Sequence, residues 1–453
     1  MFAADSKHLV VGFGITGLSI VKALDRLGVN HLFAMDSRDN PPNAEEITLL
    51  CQKVHTGSFE SSLLDECDYL WVSPGIAIAT PALAKTIARL PSESVGGDIE
   101  LFARLVQENI VAITGTNGKS TVTTLVGSIF EAAGYDLYMG GNLGTPALDL
   151  WLNYCDRQSH ERIPLFLLEL SSFQLETTDS LQADIGVILN LSPDHLDRYR
   201  DYQHYINSKF KLLAQSKTVI VPAIEPSIDM ALQKSEFQGF TKTIRFSLNR
   251  EDHSQYWANL ETKHIETSQL PPVNYAGTKL GGTHNILNIV SAVAIAESFG
   301  IDRAAIEAGI QNYQPLAHRS VFVKEIDGVS YFNDSKATNL SSTEAAILGF
   351  PEKKWLILGG VTKGQDFSTL ETLLLNNVAG VALIGLDYST ILPHIPKGLP
   401  VYESQTLEVA LNTLKSVAQK GDIILFSPAC ASFDQFKGFE HRGDVFEALV
   451  QKL

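Results

Sequence analysis

The sequence predicts an α/β protein of three domains, and three observations carry that reading. Short apolar runs alternate with helical stretches along nearly the whole chain, the pattern of parallel sheets covered by helices. Two of the early runs end in glycine-bearing turns that open directly into a helix, Gly12 to Gly17 and Gly115 to Ser120. At 453 residues the chain has the length of about three ordinary domains.

The first domain takes residues 1–97. The run His8-Leu9-Val10-Val11 leads into Gly12-Phe13-Gly14-Ile15-Thr16-Gly17 and then an apolar helix to about Leu27. A second strand, His31 to Met35, stops at Asp36, roughly 20 positions beyond the glycines. This is a Rossmann-like opening, and such a turn can cradle a nicotinamide dinucleotide or another diphosphate equally well. Val72-Ser73-Pro74-Gly75-Ile76 closes another strand, where the ligands of open α/β sheets gather. Pro91 to Gly97, rich in Pro, Ser and Gly, reads as a linker.

The second domain, 98–315, is of the phosphate-loop ATPase type. After the apolar run Ile110-Val111-Ala112-Ile113 come Gly115-Thr116-Asn117-Gly118-Lys119-Ser120-Thr121-Val122 and a helix. Backbone N–H groups of such a turn and the positive end of its helix face one anion. Lys119 is placed to reach the outer phosphates of ATP, and the Ser120 hydroxyl to sit on Mg²⁺. The loop is a short variant, because Ile113 stands where the generic loop has its first glycine. Further strands run from Pro164 to Glu169 and from Ile185 into Asn190-Leu191-Ser192-Pro193-Asp194-His195-Leu196-Asp197. In parallel order, Glu169 and His195 reach the sheet edge that carries Ser120. A carboxylate beside a phosphate loop suits a hard cation. His195, flanked by Asp194 and Asp197, is either a metal ligand or a structural histidine.

The third domain, 316–453, starts at Pro315-Leu316-Ala317-His318-Arg319, after a small-residue helix from Thr283 to about Phe299. Its strands are read at Ser330 to Phe332, Trp355 to Leu358, Val381 to Ile384 and Ile423 to Phe426, again Rossmann-like. Three polar loops come after strands: Asn333 to Asn339, Gly359 to Gly364, and Ser427 to Phe436. Loops of that kind at one sheet edge make a binding face. Within them, Thr338 is either a ligand contact or the cap of a helix starting near Asn339. Cys430 reads as a packed thiol, with no activating histidine beside it in sequence.

Composition narrows the partners. The formal charge of −16, with no compensating basic stretch, argues against nucleic acid. No apolar run approaches the roughly 20 residues needed to span a bilayer, and the start of the chain lacks a signal-peptide pattern. Cys51, Cys67, Cys155 and Cys430 have neither disulfide nor zinc spacing. A cytoplasmic monomer acting on small molecules, with no membrane insertion, is the expectation.

Taken in order, a set of motifs resembles the Mur ligases of bacterial cell-wall synthesis. They are the Gly12 and Gly115 loops, Gly140-Gly141-Asn142-Leu143-Gly144, Leu168-Glu169-Leu170-Ser171-Ser172-Phe173-Gln174, Gly282-Thr283-His284-Asn285, Asn333-Asp334-Ser335-Lys336-Ala337-Thr338-Asn339 and Ser427-Pro428-Ala429-Cys430-Ala431-Ser432. Within that family the early dinucleotide-like loop and the Ser427 motif resemble the members that add D-glutamate. The resemblance implies that ATP phosphorylates the alanine carboxylate of UDP-N-acetylmuramoyl-L-alanine. The amine of D-glutamate then displaces phosphate.

The same resemblance assigns roles. Ser120 and Glu169 match positions that hold one Mg²⁺, and His195 a position that holds a second. Lys209 matches a carbamylated lysine, with Lys211 a neighbouring competitor; without the family, Lys209 reads as an ordinary solvated lysine. Asn288, Arg319 and Asp334 match ATP-contacting positions. Thr16, Asp36, Ser37, Arg38, Ser73 and Gly75 match the uridine-diphosphate site, so the first loop takes UDP and not NAD. Asn142, Ser171 and Gln174 match positions near the sugar nucleotide. Lys336, Thr338, Lys363, Ser432 and Phe439 match the D-glutamate site, where two carboxylates need cations, hydroxyls and a helix N-terminus.

Overall fold

The computed structural model describes residues 2–3, 5–157, 161–196, 198–250, 254–267 and 271–453. They form two compact units, one of Met1–Trp257, Glu266–Val273 and Ser291–Gly309, the other of Ala258–Ile265, Asn274–Val290 and Ile310–Leu453. Among the described residues no helix is long and apolar enough to cross a membrane.

The first unit contains a sheet with strands in the spatial order Lys53–Thr56, His31–Asp36, Lys7–Val11, Tyr69–Val72 and Val95–Gly96. Every neighbouring pair is parallel. Leu9, Val10 and Val11 are all fully buried, which is why the central strand reads as an unbroken apolar run and not as an alternation. The segment Pro91 to Gly97, expected as a linker, contributes instead a 3-10 turn (Ser92–Ser94) and the edge strand Val95–Gly96 on Leu70 and Trp71. Two residues are too few to leave a periodic signal among turn formers.

A nine-stranded sheet includes six neighbouring strands in the order Lys242–Ser247, Ser216–Pro222, Ala183–Ile188, Asn109–Thr114, Pro164–Glu169 and Asp136–Gly141, these six all parallel. Asn109–Thr114 thus lies between two partners, with Ile113 level with both Glu169 and Val187. Their carboxyl ends are neighbours. One hydrophobic cluster runs under both sheets, from Val10, Phe13 and Trp71 through Ile99 and Phe102 to Ile110, Phe166 and Leu168.

In the second unit the strands lie in the order Val321–Ile326, Val329–Asn333, Ile423–Phe426, Lys354–Gly359, Val378–Ile384 and Val401–Gln405. The first pair is antiparallel, a departure from the all-parallel expectation. Its cause is the turn Asp327-Gly328, both with positive φ (53° and 79°), the Asp-Gly hairpin signal. The remaining pairs are parallel, so the ends of Val329–Asn333, Ile423–Phe426 and Lys354–Gly359 lie side by side. Asp334 pins this edge: its N–H donates to the Phe426 carbonyl at 2.8 Å, and its carboxylate accepts from Ser320 N (3.0 Å) and Ser427 Oγ (2.7 Å). Burial, only partly offset by those hydrogen bonds, pushes its carboxyl up to about 7.

This packing has two measurable consequences. A Cβ on Gly17 would lie 1.7 Å from the Gly12 carbonyl oxygen, a backbone atom that cannot swing away. Gly17→Ala is expected to cost about 1–3 kcal/mol of stability, measured by thermal unfolding; an unchanged Tm would contradict the close approach. For Asp334, the raised value means the folded chain binds the proton more tightly than the unfolded chain between pH about 4 and about 7. Its contribution to stability therefore falls as pH rises through that window. Asp334→Asn removes the effect, so the stability of the variant relative to the parent should climb with pH, by at most about 1.4 kcal/mol per unit. Denaturant titrations at either end of the window read this directly, and a flat difference would contradict it.

Candidate active site

The phosphate-loop geometry starts from a buried strand. Gly118 has φ 80° and stands at the N-cap of the helix Lys119–Ala132, a conformation that strains any other residue. No side chain caps that helix start, so its first-turn N–H groups face the concavity of the loop. The loop is braced from the next strand by Asn190, a residue that sequence reasoning passed over. Asn190 Oδ1 accepts from Asn117 N (2.8 Å) and its Nδ2 donates to the Asn117 carbonyl (3.0 Å). Thr116 is fixed likewise: its hydroxyl lies 3.0 Å from Tyr205 Oη and accepts from Ser192 N at 3.1 Å. An asparagine at a strand end, just ahead of Ser-Pro, was the available signal.

Charged groups gather around this loop. Lys119 Nζ donates to the carbonyls of Gly115 (2.9 Å) and Thr116 (2.8 Å). Ser120 and Thr121 are buried in the first turn. Glu169, at the end of the adjacent strand, is 2% exposed; Oε1 accepts from Asn142 Nδ2 at 2.6 Å while Oε2 is buried with no hydrogen-bond partner. An orphaned carboxylate oxygen at this depth is costly unless a cation meets it, and its hard oxygen suits Mg²⁺.

Lys209 projects from the helix Tyr202–Ala214 and is 1% exposed, which overturns its reading as a solvated lysine. Its Nζ donates to the Gly115 carbonyl at 3.0 Å and lies 4.9 Å from the Tyr205 ring centre. Burial and then the nearby Lys119 charge hold its amine well below the usual lysine range, against the pull of Asp194 and Glu169. Lys211, the competitor, turns outward and pairs with Asp179 at 2.7 Å. His195 has φ 54°, stands 3.6 Å from Asp194 and tilts against Phe173, ring centres 4.8 Å apart. Asp197 lies outside the described residues. Among those described, no cluster of three or more His, Cys, Asp or Glu side chains is arranged to hold a metal. The metal fit rests on Glu169 and Ser120.

At the first sheet, Gly14 caps the helix Ile15–Arg26 without a side-chain bond, and Thr16 is in its first turn. Asp36 accepts from Phe13 N (2.8 Å) and from Arg38 Nε (2.9 Å) and Nη2 (2.7 Å). Burial raises this carboxyl, but the Arg38 and Phe13 bonds outweigh it and hold it below the ordinary value. Ser37 and Arg38 are exposed beside it, so the acidic residue positions a guanidinium at the loop mouth. Ser73 is buried under Gly12, and Gly75 is exposed just beyond it. Ser171 and Gln174 form a reciprocal capping box on the short helix Ser172–Glu176. Arg198 ties the two sheets, donating to the carbonyls of Pro74 (2.6 Å) and Ile76 (3.2 Å).

In the second unit the three expected loops do converge. Val361 and Ala431 exchange backbone hydrogen bonds at 2.9 Å, joining the Lys363 loop to the Ser432 loop. Lys336 Nζ lies 3.9 Å from the ring centre of Phe439, the first residue of the helix Phe439–Lys452. Thr338 is half-buried, Ser432 buried, and Lys363 exposed with φ 52°. Thr338 does not cap a helix; Asn339 does, accepting from Ser342 N at 2.9 Å, because its side chain sits one residue nearer the first free N–H groups. Two unforeseen residues tie the loops together. Gln365 bonds Leu340 N, the Thr362 carbonyl and the Ala429 carbonyl. Arg442, 1% exposed, donates to the Ser335 hydroxyl and carbonyl and to the Cys430 carbonyl. Neither belongs to a periodic or loop motif, so neither announces itself in sequence. Cys430 is fully buried and its thiol is pushed up to about 12, as a packed cysteine should be. Asn288 is buried and donates to Asn285 Oδ1 (3.1 Å), while Arg319 precedes Ser320, whose N–H holds Asp334.

Three known domain families match successive parts of the chain. Residues 6–91 match the MurD-like N-terminal domain of Mur ligases, 113–296 the Mur ligase middle domain, and 318–430 the Mur ligase glutamate ligase domain. The chain is 39% identical to the UDP-N-acetylmuramoylalanine–D-glutamate ligase of Pseudomonas fluorescens, over 100% of this chain and 99% of that one. It is 38% identical to the enzyme of the same name from Alcanivorax borkumensis, with the same coverage. A pseudomurein peptide ligase type C from Methanothermus fervidus shares the fold, with TM-score 0.60, 16% identity and 99% of each chain covered. With a full-length relative at this identity, the chain belongs to the Mur ligase family.

Proposed function

We propose that this chain is an ATP-dependent, ADP-forming ligase that adds D-glutamate to UDP-N-acetylmuramoyl-L-alanine in peptidoglycan precursor synthesis. The observation that carries the reading on the structural side is the meeting of the Gly115 loop, the orphaned oxygen of Glu169 and the buried amine of Lys209 at one sheet edge.

A carboxylate is a poor electrophile, and the chemistry overcomes this by making it an acyl phosphate. One carboxylate oxygen of the alanine attacks the γ-phosphorus, forming a C–O–P link as ADP leaves. The uncharged amine of D-glutamate then attacks the carbonyl carbon; the C–O bond breaks, phosphate departs with that oxygen, and the amine gives up a proton. Lys119 and the N–H groups of Gly118 to Thr121 neutralise charge on the phosphoryl group in the first step, while Thr116 and Asn117, whose N–H groups are bound to Asn190, shape the loop after Gly115. Ser120 and Glu169 would hold one Mg²⁺ and His195 would lie toward a second, and ions bound there would supply further charge neutralisation.

Lys209 is proposed to carry a carbamate, formed by CO₂ adding to its amine with loss of one proton. Only an uncharged amine reacts, and its burial beside Lys119 favours that form. Thr16, Asp36, Ser37, Arg38, Ser73 and Gly75 are proposed to hold the uridine diphosphate, with Asn142, Ser171 and Gln174 nearer the sugar. Asn288, Arg319 and Asp334 are assigned to ATP. Lys336, Thr338, Lys363, Ser432 and Phe439 are assigned to D-glutamate, and their convergence with two lysines supports a dicarboxylate ligand. A cytoplasmic monomer is part of the same reading.

Phosphate release from ATP in the presence of UDP-N-acetylmuramoyl-L-alanine should require D-glutamate and fail with L-glutamate, L-alanine or diaminopimelate. Release with another amino acid would keep the ligase chemistry and overturn the assignment of the third loop set. Glu169→Gln should weaken Mn²⁺ binding by more than the roughly 10- to 100-fold typical of outer-shell partners; calorimetric titration with Mn²⁺ and a non-hydrolysable ATP analogue checks this. In ¹³C-bicarbonate, the parent and Lys211→Ala should show a carbamate carbon resonance that Lys209→Ala lacks. A signal that survives in Lys209→Ala would assign the carbamate elsewhere.

A further inference from the structure

The short helix Asp98–Ala103, which comes after the edge strand of the first sheet, grips the segment behind Glu169 at two places. Glu100 takes the far end: its carboxylate accepts from Asp179 N (2.8 Å), Ser180 N (2.9 Å) and Ser180 Oγ (2.6 Å). Asp98 takes the near end, accepting from Gln174 Nε2 at 2.9 Å. Between them the fit is close, since a Cβ on Gly97 would meet the Thr177 hydroxyl oxygen at 2.4 Å. Asp98 is 1% exposed and Gln174 3% exposed, so neither side chain reaches solvent.

The chemistry of that contact fixes a polarity. A carboxylate only accepts, so Gln174 must turn its NH₂ toward Asp98 and its Oε1 toward Ser171. There Oε1 accepts from both Ser171 N and Ser171 Oγ, each at 3.1 Å, while the Ser171 hydroxyl accepts from Gln174 N at 3.2 Å. The hydroxyl proton is thereby committed to Gln174. What Ser171 has left for a ligand is a lone pair, suited to an O–H or N–H donor. Burial pushes the Asp98 carboxyl up to about 6, opposed first by the Gln174 bond.

We propose that Asp98 is a positioning residue of the sugar-nucleotide site: by orienting the Gln174 amide it sets Ser171 as an acceptor for a hydroxyl or amide N–H of the substrate. This rests on the assignment of Ser171 to the sugar-nucleotide side of the site. Without Asp98 the amide can flip, its NH₂ then opposing the Ser171 N–H, and the segment beyond Glu169 loses its anchor.

The test is steady-state phosphate release by the full chain. Gln174→Glu, which sets two carboxylates against each other, should raise KM for UDP-N-acetylmuramoyl-L-alanine about tenfold, the worth of one hydrogen bond. KM for ATP and D-glutamate should hold. Adding Asp98→Asn to that variant restores a donor toward the introduced carboxylate and should bring KM back to within about twofold of the parent. Asp98→Ala, which removes the acceptor that orients the amide, should raise KM for UDP-N-acetylmuramoyl-L-alanine about as much as Gln174→Glu does. Glu100→Gln, which loosens the other grip, should lower Tm without moving KM. An unrescued double variant, or a KM rise in Glu100→Gln equal to that in Gln174→Glu, would overturn the proposal and leave the helix a purely structural clamp. Absence of D-glutamate-dependent release in the parent would instead strike the ligase reading.

Discussion

The placement of one strand governs the rest of the site. Asn109–Thr114 runs parallel between Pro164–Glu169 and Ala183–Ile188, so the segments leaving all three strands emerge at a common edge. The Gly115 loop, Glu169 with its capped helix, and the Asn190 segment are therefore neighbours by topology, before any side chain is considered. Side chains then lock the arrangement: Asn190 and Thr116 hold the loop, and Asn142 holds Glu169. The third sheet repeats the device with three different loops, stitched by Gln365 and Arg442.

Electrostatic tension is concentrated where chemistry is assigned. Lys209 is buried against a carbonyl oxygen with Lys119 nearby, and Glu169 keeps one oxygen without a partner. Groups like these lower stability unless a ligand or modification completes them. Positive φ is found at His195 and Lys363 among the assigned residues, and also at turns with no assigned chemistry such as Lys263 and Asp327. By contrast His8, buried among Phe2, Tyr69 and Trp71, has its imidazole lowered to about 4 by burial and accepts from Trp71 Nε1 at 3.1 Å. That histidine is packed, satisfied and remote from any loop edge.

Much of this was legible in the residues because it is encoded locally. The Gly115 turn fixes its own backbone, and apolar runs such as Leu165 to Leu168 can only be doubly buried strands. The order of those strands is not local, so the meeting of Glu169 with Ser120 needed the assumption of parallel neighbours. Gln365, Arg442 and Asp98 act through contacts between segments far apart in the chain, and a single sequence gives no sign of them. Lys209 shows the limit most clearly. Its neighbours Ser208 and Phe210 say nothing of its depth, and resemblance to relatives, not spacing, singled it out. The hairpin at Asp327-Gly328 was the opposite case, a local signal that was present and unused.

Activation of the sugar nucleotide's carboxylate as an acyl phosphate is the step on which the proposed function turns. Its most direct test is oxygen tracing with UDP-N-acetylmuramoyl-L-alanine labelled with ¹⁸O in the alanine carboxylate. One labelled oxygen should appear in the inorganic phosphate released with each amide formed, because the carboxylate oxygen leaves bonded to phosphorus. Unlabelled phosphate accompanying labelled product would show that phosphate is released without that link, and would rule the acyl phosphate out.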